Sequence, residues 1–292
     1  MRFVKAIDAL FVPVVALAAL PMKVFRRLSD QLPLSHKTLA ALGVFPICDH
    51  YYEPLFQSKY LNADFDKPRS LSGIDWNERY QLELLNKLRA FANTYSIEVN
   101  RNFESADADS WNAIIRYFQP KRIIEVGSGF STRISLQAAP DAEITCIEPY
   151  EMPWLESTRA RIVRKRVEHV SRSIFQQLEA NDILFIDSSH IIRPQGDVLV
   201  EILEILPLLK SGVIVHFHDI FSPFHYPRKW VVDFVRLWNE QYLLEAFLSF
   251  NRDWEILCAL SYLSKFHWDE VAGAFPNALS EHGPGSFYIR RR

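Results

Sequence analysis

From Pro120 onward the chain alternates short apolar runs with helical patterns, and this texture persists almost to the C-terminus. The runs are Arg122–Val126, Glu143–Ile147, Val167–Val170, Ile183–Ile186, Val213–Phe217 and Glu255–Leu260. Most are continuous rather than alternating, as expected of parallel strands covered on both faces. Between the fourth and fifth, a helix is predicted from Gln195 to Leu206, ended or kinked by Pro207. Val198, Leu199, Ile202, Leu203, Ile205 and Leu206 form its inward face, with Glu201 and Glu204 outside it. A last run, Ser286–Ile289, is expected to join the sheet antiparallel. The pattern predicts a doubly wound α/β domain.

Upstream of Pro120 the periodicity is helical. Tyr80, Leu84, Leu88 and Phe91 make one stripe of a helix from Asp75 to about Ala92. A second helix runs from about Ala108 to Phe118, with Asp107 as its cap. Residues 31–74 are rich in proline and aromatics and read as irregular with short helical turns. The domain boundary falls near residue 100: an N-terminal helical extension and lid over 1–100, then the α/β domain over 101–292.

Composition narrows the function. Charged residues make up 23% and the formal net charge is -2, so the basic coat of a general nucleic-acid binder is missing. Cys48, Cys146 and Cys258 are far apart and form no CxxC pair, which fits reduced thiols rather than a disulfide frame or zinc site.

Chemistry concentrates at the predicted strand ends. In IIEVGSGFST (123–132) a strand runs into Gly127 and Gly129 and a helix begins at once. Gly127 permits a sharp turn, and Gly129 permits close approach of backbone to a ligand. Thr132 stands where a dinucleotide fingerprint has its third glycine, which argues against a nicotinamide cofactor. Glu125 sits where a carboxylate meets the ammonium of an amino-acid-bearing cofactor and repels a pyrophosphate. Glu148, ending the second strand, is placed to accept hydrogen bonds from ribose hydroxyls. Asp187 and His190 follow the fourth strand, and His218 and Asp219 follow the fifth, so all four are expected to converge. His216 shares the face of His218 and reads as a buried, hydrogen-bonded histidine.

The strings EVGSGFST, FIDSSH and HDIF, together with the closing SFYIRR, resemble class I S-adenosylmethionine-dependent methyltransferases of the type called methyltransferase family 24. The resemblance begins near residue 45 and takes in Ile47–Tyr52. It implies a Rossmann-like, seven-stranded, mostly parallel sheet and S-adenosylmethionine as cofactor. Glu125, Gly127, Ser128 and Gly129 would surround the methionine moiety, with Ser131 and Asp187 in the same set. Glu148 would take the ribose, and the adenine would lie around Val170 and Ser171. Related O-methyltransferases hold a divalent ion at positions matched by Asp187, His218 and Asp219, although a histidine in that set departs from their pattern.

The expected activity is methylation of a hydroxyl on a small-molecule or glycan acceptor. His190 is the expected base, with His218 and Asp219 as helpers or metal ligands, and His50–Tyr52 and Phe224–Tyr226 as acceptor pocket and lid. Two rivals remain: a nicotinamide-dependent oxidoreductase, and a non-catalytic scaffold that keeps the fold. A homodimer is a further expectation.

The uncharged stretch from Ala9 to Met22, flanked by Arg2, Lys5, Lys23, Arg26 and Arg27, is interrupted by Pro13 and Pro21. It reads either as a core or subunit-packing helix or as an in-plane membrane anchor. A cytosolic cofactor argues against export, so the expected location is the cytoplasm, at the inner face of the membrane.

Overall fold

A computed structural model describes residues 2–28, 31–50, 52–54, 61, 64–91, 103, 105–279 and 283–292. Tyr51 of the expected acceptor pocket, Ala92 at the end of the expected helix, and the expected boundary at residue 100 lie outside them. Two compact units divide between Ala63 and Asp64.

The first unit carries α1 (Arg2–Leu28) and α2 (Pro33–Ala41). Pro13 and Pro21 lie inside one continuous α1 rather than interrupting it, and each removes one backbone donor. A helix of nine residues, α2, occupies part of the stretch expected to be irregular. Proline at its first position has the φ a helix needs and no N–H to leave unpaired. The Arg26 guanidinium pairs with the Glu53 carboxylate and lies 4.7 Å from the centroid of the Phe45 ring.

The second unit holds everything else. Helix α3 (Glu78–Leu88), which the sequence placed in the extension, packs here through buried Leu84, Leu85 and Leu88. After α4 (Ala106–Phe118) come β1 (Arg122–Val126), α5 (Phe130–Ala138), β2 (Glu143–Ile147), β3 (Arg161–Val163) and β4 (Ile183–Ile186). They are followed by α6 (Asp197–Leu199), β5 (Ile214–Phe217), α7 (Glu240–Leu248), β6 (Trp254–Ala259), α8 (Leu260–Phe266), α9 (Trp268–Ala274) and β7 (Phe287–Arg291).

The seven strands are ordered β3-β2-β1-β4-β5-β7-β6. All pairings from β3 to β5 are parallel, and β7 inserts antiparallel between β5 and β6. Alternate residues of β4 feed two separate cores: Ile183 and Phe185 on one face, Leu184 and Ile186 on the other. Burial on both faces is why this strand reads as an unbroken apolar run. The chain winds outward in both directions from β1 and β4, so their carboxyl ends form the crevice where ligands bind in such sheets.

Three local expectations are corrected. Val167–His169 is a short 3₁₀ turn, and the edge strand β3 lies earlier, at Arg161–Val163. After its first turn α6 continues as a π-helix over Val200–Ile205, whose wider winding shifts the faces. As a result Glu201 is fully buried and Leu203 is 54% exposed, the reverse of the expected assignment. Helix α4 starts at Ala106 rather than Ala108, so Asp107 lies in its first turn instead of capping it. The Asp107 carboxylate accepts from the backbone N–H of Ser286 at 2.8 Å and of Gly285 at 3.3 Å.

Candidate active site

A cleft of about 300 Å³ opens at the carboxyl ends of β1, β2 and β4, lined by Gly127, Glu148, Tyr150, Val167, Asp187 and Arg193 among others. That volume is at the lower end for small-molecule sites. Gly127 has φ +86°, and a Cβ there would stand 2.3 Å from the Asp187 carbonyl oxygen. β1 and β4 therefore approach each other at the turn only because this residue has no side chain. Gly129 has nothing within 4 Å of where its side chain would begin. Glu148 accepts from the backbone N–H of Ser128 (3.2 Å) and of Tyr150 (2.8 Å), which fixes its carboxylate at the cleft wall.

Glu125 lies beneath the turn rather than in the cleft, fully buried. The hydroxyls of Thr132 and Ser135 donate to it at 2.5 Å, and that of Ser131 at 3.5 Å. Thr132 Oγ1 also accepts from the Gly129 N–H at 3.1 Å. A hydroxyl in place of the third glycine thus ties the turn and the start of α5 to the Glu125 carboxyl. Ser171 is exposed, and neither it nor Val170 lines the cleft. Arg166, Val167 and Glu168 occupy that wall instead, because the expected strand is a turn.

Beside the cleft, Asp187, His190, His218 and Asp219 converge as expected. His190 Nε2 is 3.3 Å from Asp187 Oδ1 and 3.8 Å from Asp219 Oδ2. His218 Nδ1 is 3.6 Å from Asp187 Oδ1 and 3.7 Å from Asp219 Oδ2. One donor atom from each of Asp187, His218 and Asp219 falls within 4.8 Å of the others. His218 Nδ1 is buried without a hydrogen-bond partner, an orphan that a cation would satisfy. His190 and Asp219 both hold φ +59°, a strained backbone for residues other than glycine, at the ends of the two strands.

Electrostatics make this a charged cluster. Burial pulls His218 down, but the Asp219 and Asp187 carboxylates outweigh it and raise the imidazole to about 10. Burial likewise opposes charge on His190, yet Asp187 and Glu240 hold it well above the ordinary histidine value. Burial raises Asp187 and the two histidines overcome that, leaving it below the usual carboxylate range. Asp187 and Glu240 thus face the two ring nitrogens of His190, while burial raises the Asp219 and Glu240 carboxyls above their ordinary value.

Several partners had no local sequence signal. Glu240 Oε2 sits 2.7 Å from His190 Nδ1, and the Trp238 ring lies 4.2 Å from the His190 ring. Glu201 accepts from the Ser188 hydroxyl at 3.0 Å, and burial, followed by the nearby Glu240 charge, raises its pKa well above the ordinary value. The Phe224–Tyr226 lid is also corrected: Phe224 and Tyr226 are buried in the fold, and the Tyr226 hydroxyl accepts from the Gln241 N–H. His50 and Tyr52 lie in the first unit, both exposed. His216 is buried as expected, but neither ring nitrogen has a hydrogen-bond partner, and its ring stacks on Tyr288 at 4.1 Å.

Residues 124–220, from β1 to just beyond β5, match a family model described as a methyltransferase domain. Over that segment the chain is similar to a methyltransferase domain. An uncharacterized protein of Archaeoglobus fulgidus is 28% identical over 163 residues, covering 46% of this chain and 74% of that protein. The S-adenosylhomocysteine-bound methyltransferase PaMTH1 of Podospora anserina has a TM-score of 0.42 at 15% identity, over 73% of this chain and 88% of that one. The plantazolicin methyltransferase BpumL, in complex with a pentazolic desmethylPZN analog and S-adenosylhomocysteine, has a TM-score of 0.40 at 12% identity, over 75% of this chain and 100% of that one.

Within the matched segment, Glu125 links the turn to stability. Burial raises it from 4.5 to about 7, against the Ser135, Thr132 and Ser131 hydroxyls that favour the charged form. Between those two values the folded chain holds a proton that the unfolded chain has released, so stability falls as pH rises through that window. Above it the difference is constant, at about 3 kcal/mol. Urea unfolding at pH 5 and pH 8 is expected to show that loss in the native chain and to show it largely removed in Glu125→Gln. An equal loss in both would refute the assignment.

Proposed function

We propose that the methyltransferase domain methylates a hydroxyl oxygen of a small-molecule or glycan acceptor. The observation that carries the reading is the convergence of Asp187, His218 and Asp219 beside the cleft. A hydroxyl is a poor nucleophile at neutral pH, and methyl transfer requires its oxygen in line with the methyl group, at about 3–3.5 Å. The Gly127–Gly129 turn and the Glu148 carboxylate hold the donor molecule, with Glu148 facing its ribose. S-adenosylmethionine supplies the methyl group.

Asp187, His218 and Asp219 would hold a divalent cation, which would displace the His218 proton and take the unpartnered Nδ1 as a ligand. Such a cation acidifies a hydroxyl bound to it. A donor set that includes histidine suits manganese, iron or zinc better than magnesium. His190, held by Glu240 on one nitrogen, keeps the Asp187 carboxylate oriented with the other.

The test is incubation of the full chain with methyl-labelled adenosylmethionine and fractionated extract of its source. The reading predicts label in a base-stable ether. Label confined to nitrogen or to base-labile esters would overturn it.

The exposed apolar surface of α1 supports a second assignment, contact with the cytoplasmic face of a membrane. Leu10, Phe11, Val12, Leu17 and Leu20 are each more than half exposed, and Lys23 and Arg27 follow them. The full chain is expected to sediment with phosphatidylserine vesicles, less so as salt rises. Substituting Leu17 and Leu20 by glutamate is expected to prevent it. Sedimentation unchanged by those substitutions would return α1 to protein packing.

A further inference from the structure

The loop between β5 and α7 carries a cation that the fold leaves without a counter-charge. The Arg236 guanidinium carbon lies 4.4 Å from the ring centroids of both Trp230 and Trp238, and 5.8 Å from that of Phe234. Among the described residues no carboxylate pairs with it, and no hydrogen bond leaves its side chain. Only its backbone N–H is used, to the Trp230 carbonyl at 2.9 Å. Arg69 pairs with Glu245 and Arg193 with Asp197. Contact with two indole rings restrains the guanidinium and leaves its N–H fork unspent, a form suited to a planar or tetrahedral oxyanion.

Position ties this cation to the site. Trp238 is also the ring against His190, so the two ring contacts place the guanidinium within about 9 Å of the imidazole. The cluster around His190 is rich in carboxylates, namely Asp187, Asp219 and Glu240, and would repel an anionic group. The surrounding segment, residues 221–239, has the opposite balance: Arg228, Lys229 and Arg236 against the single acid Asp233.

We propose that Arg236 anchors an oxyanion of the acceptor, so that the substrate is a hydroxylated small molecule bearing a carboxylate, sulfate or phosphate. The inference rests on the proposed O-methyl transfer for the identity of the other end of the substrate. Trp230 and Trp238 provide the apolar walls, and Arg236 gives the orientation.

The test compares matched probes on the full chain saturated with S-adenosylhomocysteine: 3,4-dihydroxybenzoate against catechol, and glucuronate against glucose, by calorimetry. At least one anionic member is expected to bind tenfold or more tighter than its neutral partner. Arg236→Gln is expected to erase that preference while leaving the neutral partner's affinity within twofold. Arg236→Lys, which keeps the charge without the fork, is expected to retain part of it. In the native chain the preference is expected to shrink as sodium sulfate is added. No anionic preference in either pair, a preference indifferent to sulfate, or one that survives Arg236→Gln would each overturn the proposal. Because the readout is binding, a failed transfer to oxygen would remove the O-methyl reading and leave the anion site standing.

Discussion

Asp187→Ala is expected to lower kcat/KM for methyl transfer by about 100- to 1000-fold, the scale on which a placed electrostatic group acts. The size follows from convergence. Both His190 Nε2 and His218 Nδ1 approach Asp187 Oδ1, at 3.3 and 3.6 Å, so one carboxylate positions two imidazoles. The same variant is expected to lose bound manganese or zinc, measured by mass spectrometry of the purified chain. In the native chain EDTA is expected to abolish transfer, and added metal to restore it. Full activity of a metal-free preparation would exclude the ion and leave the charged histidines to orient the acceptor. An Asp187→Ala chain that keeps more than a tenth of native activity would show that the chemistry lies elsewhere.

Gly127→Ala is expected to destabilise the domain by roughly 3 kcal/mol or more and to abolish measurable cofactor binding. Two effects add. A side chain at φ +86° is strained, and its Cβ would meet the Asp187 carbonyl oxygen at 2.3 Å. That oxygen is backbone, and the adjacent Asp187 N–H is bonded to the Val126 carbonyl at 2.9 Å, so the strand cannot move aside without breaking the ladder. Gly129→Ala provides the contrast. Gly129 has an extended φ of 175° and open space around it, so the variant is expected to melt near the native temperature while binding cofactor less well. Thermal melts and calorimetry on the pair separate a turn that needs glycine to fold from one that needs it for the ligand.

Much of the sheet is legible in the sequence because β1, β2, β4 and β5 are buried on both sides and bounded by turn residues, which leaves an unambiguous apolar run. The edge strand is not. Arg161–Val163 is short and half-exposed, whereas Val167–Val170, apolar at both ends, mimics a strand while forming a turn. The buried face of α6 is not readable from spacing because a π-type winding leaves no mark on it, and that winding is what buries Glu201 against Ser188.

At the site, strand-end placement made Glu148, Asp187, His190, His218 and Asp219 readable. Glu240 and Trp238 were not, since they reach His190 from about 50 residues away and no local period announces such a contact. Burial decided the rest. Glu125 has the sequence position of a ligand contact, but it spends its oxygens on the hydroxyls of Ser131, Thr132 and Ser135.

Calorimetric titration of the full chain with S-adenosylmethionine, S-adenosylhomocysteine and NAD tests the central claim most directly. The cleft bounded by Gly127 and Glu148 predicts micromolar affinity for the first two and no comparable binding of NAD. If Glu148 takes the ribose as proposed, Glu148→Ala should weaken that binding by about 1–3 kcal/mol. Tight binding of NAD with none of S-adenosylmethionine would contradict the account.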